Sequence, residues 1–468
     1  MRRTTTLAPA ESPQIVQQLN ATGVAQVIVV MKRPAAPRRA AARLAKHFVT
    51  SERSTDAAIR SALMTGTARA ADAVRVARVR RRVSAPPRVR IYPNLGVMLG
   101  TVRSDGLQAL RRDGDVAGVT GSPHFTLIKP RVALEATPQT SIGWGIEALE
   151  VPKLWKAGLT GNGVVVAHLD TGADARHPAL RGAFASFAEF DALGAEVKPT
   201  PRPHDTGEHG THTAATVAGR AVGGFSMGVA PGAKLASAVV IEGGNVVARV
   251  LAGFDWALGH EAKVLSMSLG LPGWWDDFVP IIRIVRARGV LPVIATGNEG
   301  PGTSRSPGNY SEALSVGAVT NSLAVADFSS SQQFDRTADP IVPNLVAPGV
   351  DIISAVPGNR YKRMSGTSMA TPHVAGLAAL LFEAKPGATI DEVERAILKT
   401  CERPAGMTAE RGGHGVPNAP RALAALMGPT VAARAPRAPS TARARRRRAR
   451  RASARRRPVR SVRHAPRI

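Results

Sequence analysis

The stretch "VVVAHLDTGADARHP", Val164 to Pro178, opens with an apolar run that lacks polar alternation and ends on Asp170. Such a run reads as a strand buried on both faces. In an open parallel sheet, ligands bind beyond the carboxyl ends of the strands, which is where Asp170 falls. The Asp-Thr-Gly that begins there belongs to two unrelated chemical designs. In one, two carboxylates share a proton; in the other, a single carboxylate orients a histidine. Three residues alone leave both open.

Outward from this stretch the same texture repeats. "KLASAVV", "KVLSMSL", "VLPVIAT" and "ALSVGAV" are Val-, Ile- and Ala-rich runs separated by helical patterns. Together they predict an α/β domain with a mostly parallel central sheet between helical layers. The composition agrees: 468 residues with 45 glycines, 44% hydrophobic and only 4% aromatic, suited to a core of small and branched side chains. Cys401 is the only cysteine, which excludes an internal disulfide. No window approaches 18 consecutive apolar residues, so no membrane span is expected, and "MRRTTTLAPAESPQ" lacks the apolar core of a secretory signal.

The net charge of +28 is unevenly spread. Residues 1–138 carry 23 basic against 8 acidic side chains, residues 139–430 carry 24 against 26, and residues 431–468 carry 15 against none. A near-neutral middle therefore lies between two basic flanks. The chain divides into a flexible lead (1–23), a small α+β domain with a basic helical insertion over 36–84 (24–130), a large α/β domain (139–427) and an Arg-rich, disordered tail (431–468). The tail has the composition to attract nucleic acid or another polyanion without reading sequence, or to serve as a solubilising extension.

A second Asp-Thr-Gly begins at Asp205, 35 residues after Asp170, but it comes after "VKPTPRPH", whose three prolines mark a loop rather than a strand end. The shared-proton design needs two strand-borne copies and is set aside. "GEHGTHTAATVAG" places His209 where a loop enters a small-residue helix, and "MSGTSMATPHVAGLAALLFEA" places Ser368 in the first turn of a long apolar helix. A serine hydroxyl becomes a nucleophile when a base removes its proton and a third group holds that base in the right tautomer. Asp170, His209 and Ser368 are the residue types for those three tasks. Taken singly, Asp170 is an ordinary strand-end residue, Ser368 a helix cap, and His209 with His212 half of an H-x-x-H metal pair; the last lacks the H-E-x-x-H arrangement of zinc proteases.

Over about Trp144 to Leu426 the chain resembles the subtilisin-like serine proteases, on "DTGADARHP", "HGTHTAATVAG" and "GTSMATPHVAGLAALL" in that order. The resemblance implies a subtilisin-like three-layer fold and a serine endopeptidase. It implies that Asp170 orients the imidazole, His209 acts as general base and then acid, and Ser368 attacks the scissile carbonyl. Asn298 in "IATGNEGPG" matches the family's oxyanion-hole asparagine. Ser266, Met267, Ser268, Leu269 and Gly270 match the strand that pairs with an extended substrate, and Arg305 falls near the base of the specificity pocket, either selecting acidic side chains or turning to solvent. The N-terminal region resembles, more weakly, an inhibitory prodomain, with self-cleavage expected between about Pro130 and Ser141. No cofactor and no catalytic metal are expected to be required, and the resemblance leaves room for a structural calcium. The family's usual calcium loop is altered, since Ala221 and Val222 stand at the ligand positions. The implied partners are polypeptide substrates and the chain's own prodomain, in a monomer with no membrane association and a lean to the cytoplasm. The rival reading is a polyanion-associated basic protein that uses this fold as a scaffold or localised cutter.

Overall fold

The computed structural model describes residues 12–32, 37–49, 89–242, 246–337 and 339–428. The Arg-rich tail lies outside the described residues, and so does most of the expected helical insertion. Of the insertion, only helix Pro37–Leu44, the short turn after it and the strand Phe48–Val49 are described.

Seven strands form the central sheet: β1 (Val165–Asp170), β2 (Phe184–Glu189), β3 (Lys234–Val239), β4 (Val264–Met267), β5 (Leu291–Ala295), β6 (Leu314–Val319) and β7 (Leu345–Pro348). All pair in parallel, in the lateral order β7-β6-β5-β4-β1-β3-β2. The lack of polar alternation has a direct cause. Val166, Val264 and Val293 enter one apolar core, under α1 (His209–Ala218) and α4 (Thr367–Ala384). Their neighbours Ala167, Leu265 and Ile294 enter the other, under α2 (Val246–Leu258) and α3 (Val279–Ala287). Both faces are covered, so both sets of side chains are apolar. After β1 the chain moves to one side of it for β2 and β3, then returns to the other side for β4. The carboxyl ends of β1 and β4 flank the resulting crevice, the position where such sheets bind ligands.

The N-terminal residues build an antiparallel sheet in the order Phe48–Val49, Val97–Val102, Ala25–Met31, Val116–Gly121, with Val89–Tyr92 also on Val97–Val102. Val27, Val29 and Met31 face Ile15, Leu107 and Leu110 of the domain's own helices. Ile28 and Val30, on the opposite face, share a core with Val250, Leu251 and Phe278 of the catalytic domain. Polar contacts frame that junction: Tyr92 Oη donates to the Ala248 carbonyl at 3.0 Å, and Asp277 accepts from the Gly121 N–H at 2.8 Å and the Ser12 hydroxyl at 3.0 Å. The lead expected to be flexible instead contains helix Pro13–Thr22, opened by Pro at its first position and closed by Gly23 at φ 73°. Both are ordinary helix punctuation, and Ile15 anchors the helix to the sheet.

Candidate active site

Asp170 ends β1, His209 opens α1 and Ser368 lies in the first turn of α4. The first two are brought together by a close approach of loop and helix. A Cβ on Gly210 would lie 1.9 Å from the Gly172 carbonyl oxygen, so only glycine lets the start of α1 settle against the loop after β1. His209 Nδ1 donates to Asp170 Oδ1 at 2.8 Å, and the same oxygen accepts from the Thr171 N–H at 2.7 Å, while Oδ2 accepts from Thr213 Oγ1 at 3.2 Å. Burial pushes both titratable groups toward neutrality, and their mutual attraction outweighs it. Asp170 is held below the ordinary carboxylate range and His209 above the ordinary imidazole value. The paired Nδ1 leaves Nε2 as the basic nitrogen, and Nε2 finds no hydrogen-bond partner among the described residues.

Ser368 is fully buried because the chain's own segment covers it. Thr126–Leu127 pairs antiparallel with Leu269–Gly270, and the Ile128 N–H donates to the Ser268 carbonyl at 3.2 Å. The Ser368 hydroxyl donates to the Ile128 carbonyl at 2.8 Å. Asn298 Nδ2 donates to the next carbonyl, that of Lys129, at 2.8 Å. The Thr367 N–H and hydroxyl both donate to Asn298 Oδ1 at 2.9 Å, which fixes the amide with its NH₂ toward the segment. Phe125 and Ile128 are buried and Thr126 is exposed, so the extended peptide sinks two apolar side chains into the cleft and turns a polar one outward. Phe125 stacks edge-on against Phe278 with ring centroids 4.8 Å apart.

Of the five residues matched to the substrate-pairing strand, only Ser268, Leu269 and Gly270 touch this segment. Ser266 and Met267 lie inside the sheet, in register with His168 and Leu169 on one side and Val293 and Ile294 on the other. Arg305 departs from the second of the two expectations for it, since it does not turn to solvent. Its guanidinium donates to Glu299 through Nη2 at 2.7 Å and to Thr126 Oγ1 through Nη1 at 2.9 Å, so it is neutralised by a neighbour and stands beside the peptide rather than in solvent. No carbonyl of residues 130–141 reaches Ser368; the peptide group against it belongs to Ile128.

A second Ser–His arrangement, which the sequence does not announce, lies close by. His168 Nδ1 is 3.0 Å from Ser237 Oγ and its Nε2 is 2.8 Å from Thr213 Oγ1, with Asp170 Oδ2 at 3.9 Å. Ser237 sits mid-strand in β3 between two layers, where no substrate reaches, and burial lowers His168 to about 4, leaving it neutral. This cluster supports Asp170 from behind through Thr213. Asp205, of the second Asp-Thr-Gly, is also structural: it accepts from Thr171 Oγ1 at 2.7 Å, Gly207 N–H at 2.8 Å, Thr211 N–H at 2.6 Å and Thr211 Oγ1 at 2.7 Å, stapling the loop before α1. His212 Nε2 donates to main-chain carbonyls of Ile352 and Lys362, and His373 Nδ1 to that of Met369, so neither histidine is available as a metal ligand through those atoms. Among the described residues no group of three or more His, Cys, Asp or Glu is arranged to hold a metal. In the altered loop, Val222 and Phe225 satisfy each other's main-chain groups at 3.0 Å, and the side chains of Ala221 and Val222 offer no oxygen. That donor set does not fit a calcium ion. No helix among the described residues is long and apolar enough to cross a membrane.

Comparison with known proteins places this geometry in context. The sequence model of the Subtilase family matches residues 161–420. Subtilisin Savinase of Lederbergia lenta is 39% identical over 250 residues, covering 53% of this chain and 86% of that protein. M-protease of Shouchella clausii (strain KSM-K16) is 37% identical over 276 residues, covering 58% and 67%. Bacillopeptidase F of Bacillus subtilis (strain 168) is 33% identical over 346 residues, covering 65% of this chain but 23% of that larger protein.

Proposed function

The chain belongs to the Subtilase family, and on that premise we propose that Asp170, His209 and Ser368 form the catalytic triad of this serine endopeptidase. One observation carries the assignment: the hydroxyl of Ser368 and the amide of Asn298 both bond carbonyls of a peptide lying extended across the crevice. In the reaction, His209 Nε2 takes the Ser368 proton as Oγ bonds to the substrate carbonyl carbon. Asn298 Nδ2 stabilises the oxygen that becomes negative. The C–N bond then breaks, the leaving amine takes the proton from His209, and an acyl-enzyme on Ser368 remains. Water, deprotonated by His209, cleaves that ester and restores the serine. Asp170 stays ionised throughout and stabilises the imidazolium.

The N-terminal domain acts in this reading as an intramolecular inhibitor whose terminal segment, Phe125 to Lys129, is the first substrate. The side chains of Phe125 and Ile128 fill the cleft, and the bond to be cut is Ile128–Lys129, upstream of the window expected from sequence. Labelling with a serine-directed fluorophosphonate tests both parts, with chain mass followed in wild type and Ser368→Ala. Labelling together with a fragment ending at Ile128, in wild type only, is the expected result. Labelling or cutting that persists in Ser368→Ala rejects the triad.

A further inference from the structure

Beyond Ile128 the chain does not leave the catalytic domain. The Arg131 N–H donates to the Ser365 carbonyl at 2.7 Å, and Val132–Ala136 then pairs antiparallel with Arg360–Ser365 in an unbroken register from Val132↔Ser365 to Ala136↔Tyr361. This edge ends three residues before Ser368, so it continues the peptide-binding track on the far side of the nucleophile. The strand lying on it is held without a core: Leu134 is 59% exposed and Val132 36%. Main-chain pairing and one side chain hold it instead. Glu135 Oε1 lies 2.7 Å from Arg360 Nη1 and 3.5 Å from Lys362 Nζ. Glu208, next to His209, pairs with the same two cations, at 2.8 Å from Arg360 and 2.5 Å from Lys362. Without Glu135, two cations would face one resident carboxylate, leaving the strip with an uncompensated positive charge.

We infer that the Arg360–Ser365 edge is an extended docking strip for polypeptide substrates downstream of the cleaved bond, and that Arg360 and Lys362 select an acidic side chain at the position Glu135 occupies, seven residues after Ile128. The inference rests on Ser368 being the nucleophile. A strand added to a free edge gains affinity from main-chain hydrogen bonds that any sequence makes, and specificity from the side chains at its margin. Val132–Ala136 is then a resident occupant that a substrate of similar chemistry replaces once the chain is cut.

The test uses two peptides spanning residues 125–137, one with Glu and one with Gln at position 135, cleaved by purified processed enzyme and by the Arg360→Gln/Lys362→Met double variant. In wild type at low salt the Glu peptide should show a kcat/KM roughly three- to tenfold higher, the scale of two partly exposed ion pairs. The preference should shrink at about 0.5 M salt and vanish in the double variant. Lys362→Glu should instead favour a peptide with Lys at that position, which guards against simple misfolding. Equal rates for the Glu and Gln peptides in wild type overturn the inference, as does a preference that survives intact in the double variant. Cleavage of either peptide by Ser368→Ala would instead reject the triad itself.

Discussion

Ser368 and Asn298 engage adjacent peptide groups of one segment: the serine hydroxyl bonds the Ile128 carbonyl, and the asparagine amide bonds the Lys129 carbonyl, each at 2.8 Å. Attack needs nucleophile and oxyanion donor on the same carbonyl. The resident segment is one residue out of that coincidence.

The segment must therefore shift before attack, so that Asn298 Nδ2 leaves the Lys129 carbonyl for that of Ile128. Self-cleavage is expected to be roughly tenfold slower or more than cleavage of a free peptide of residues 125–137 by processed enzyme, since a correctly placed oxyanion donor is worth ~10²–10³ in kcat in this same family. A time course of intact mass in freshly refolded protein, set against the peptide's kcat, measures it. Equal rates would mean that the segment shifts freely before reaction.

Asn298→Ala should lower kcat on a short peptide by roughly 10²–10³ with little change in KM, because the lost bond matters most to the charged intermediate. Asn298 Oδ1 also accepts from Thr367. Asn298→Asp retains that acceptor while losing the donor, and should be equally slow.

With the proposed triad, the Asp170–His209 pair should set the pH profile. His209 must be neutral to accept the serine proton, and Asp170 outweighs burial to hold its pKa above the ordinary imidazole value. Activity should therefore be full in the alkaline range and fall as pH drops through a midpoint above roughly 6.5. Replacing Asp170 with Asn should remove the upward pull and move that midpoint down, in addition to slowing the reaction.

Two buried serines compete for the role of nucleophile, Ser368 against the Ile128 carbonyl and Ser237 against His168, and they separate cleanly by experiment. Ser237→Ala should leave fluorophosphonate labelling intact while lowering stability by about 1–3 kcal/mol, the cost of an unpaired buried nitrogen on His168. Ser368→Ala should abolish labelling with little thermal cost.

Gly210→Ala presses a methyl group into the Gly172 carbonyl. Overpacking of this kind costs about 1–3 kcal/mol, and here it pushes His209 away from Asp170. Melting temperature and kcat should fall together. A variant with a lower melting temperature but unchanged kcat would show that the loop yields instead.

Strands β1 and β3 to β6, and the order Asp170, His209, Ser368, were legible because each rests on local pattern: an apolar run without alternation, or a motif whose residue types match a chemical task. The features that escaped depend on contacts far apart in the chain. Nothing near Ile128 announces that it will lie against a serine 240 residues away. His168 reads as one polar residue in a strand until β3 sets Ser237 beside it. Arg305 could be placed near the peptide, but its orientation is decided by Glu299, a partner visible only after the loop folds back. Ser266 and Met267 were grouped with the cleft because they share a motif with Ser268, yet the sheet strand ends at Met267 and only Ser268 and its successors are free to pair with substrate.

The N-terminal sheet spends one whole face, Ile28 and Val30 included, on a core it shares with α2 and α3. While the chain is continuous, that contact is a ring closure with a high effective local concentration. After a cut at Ile128 it becomes an encounter between two molecules, governed by how much of each is present. Protease at high concentration would then stay occupied by its own fragment, and dilution alone would release it.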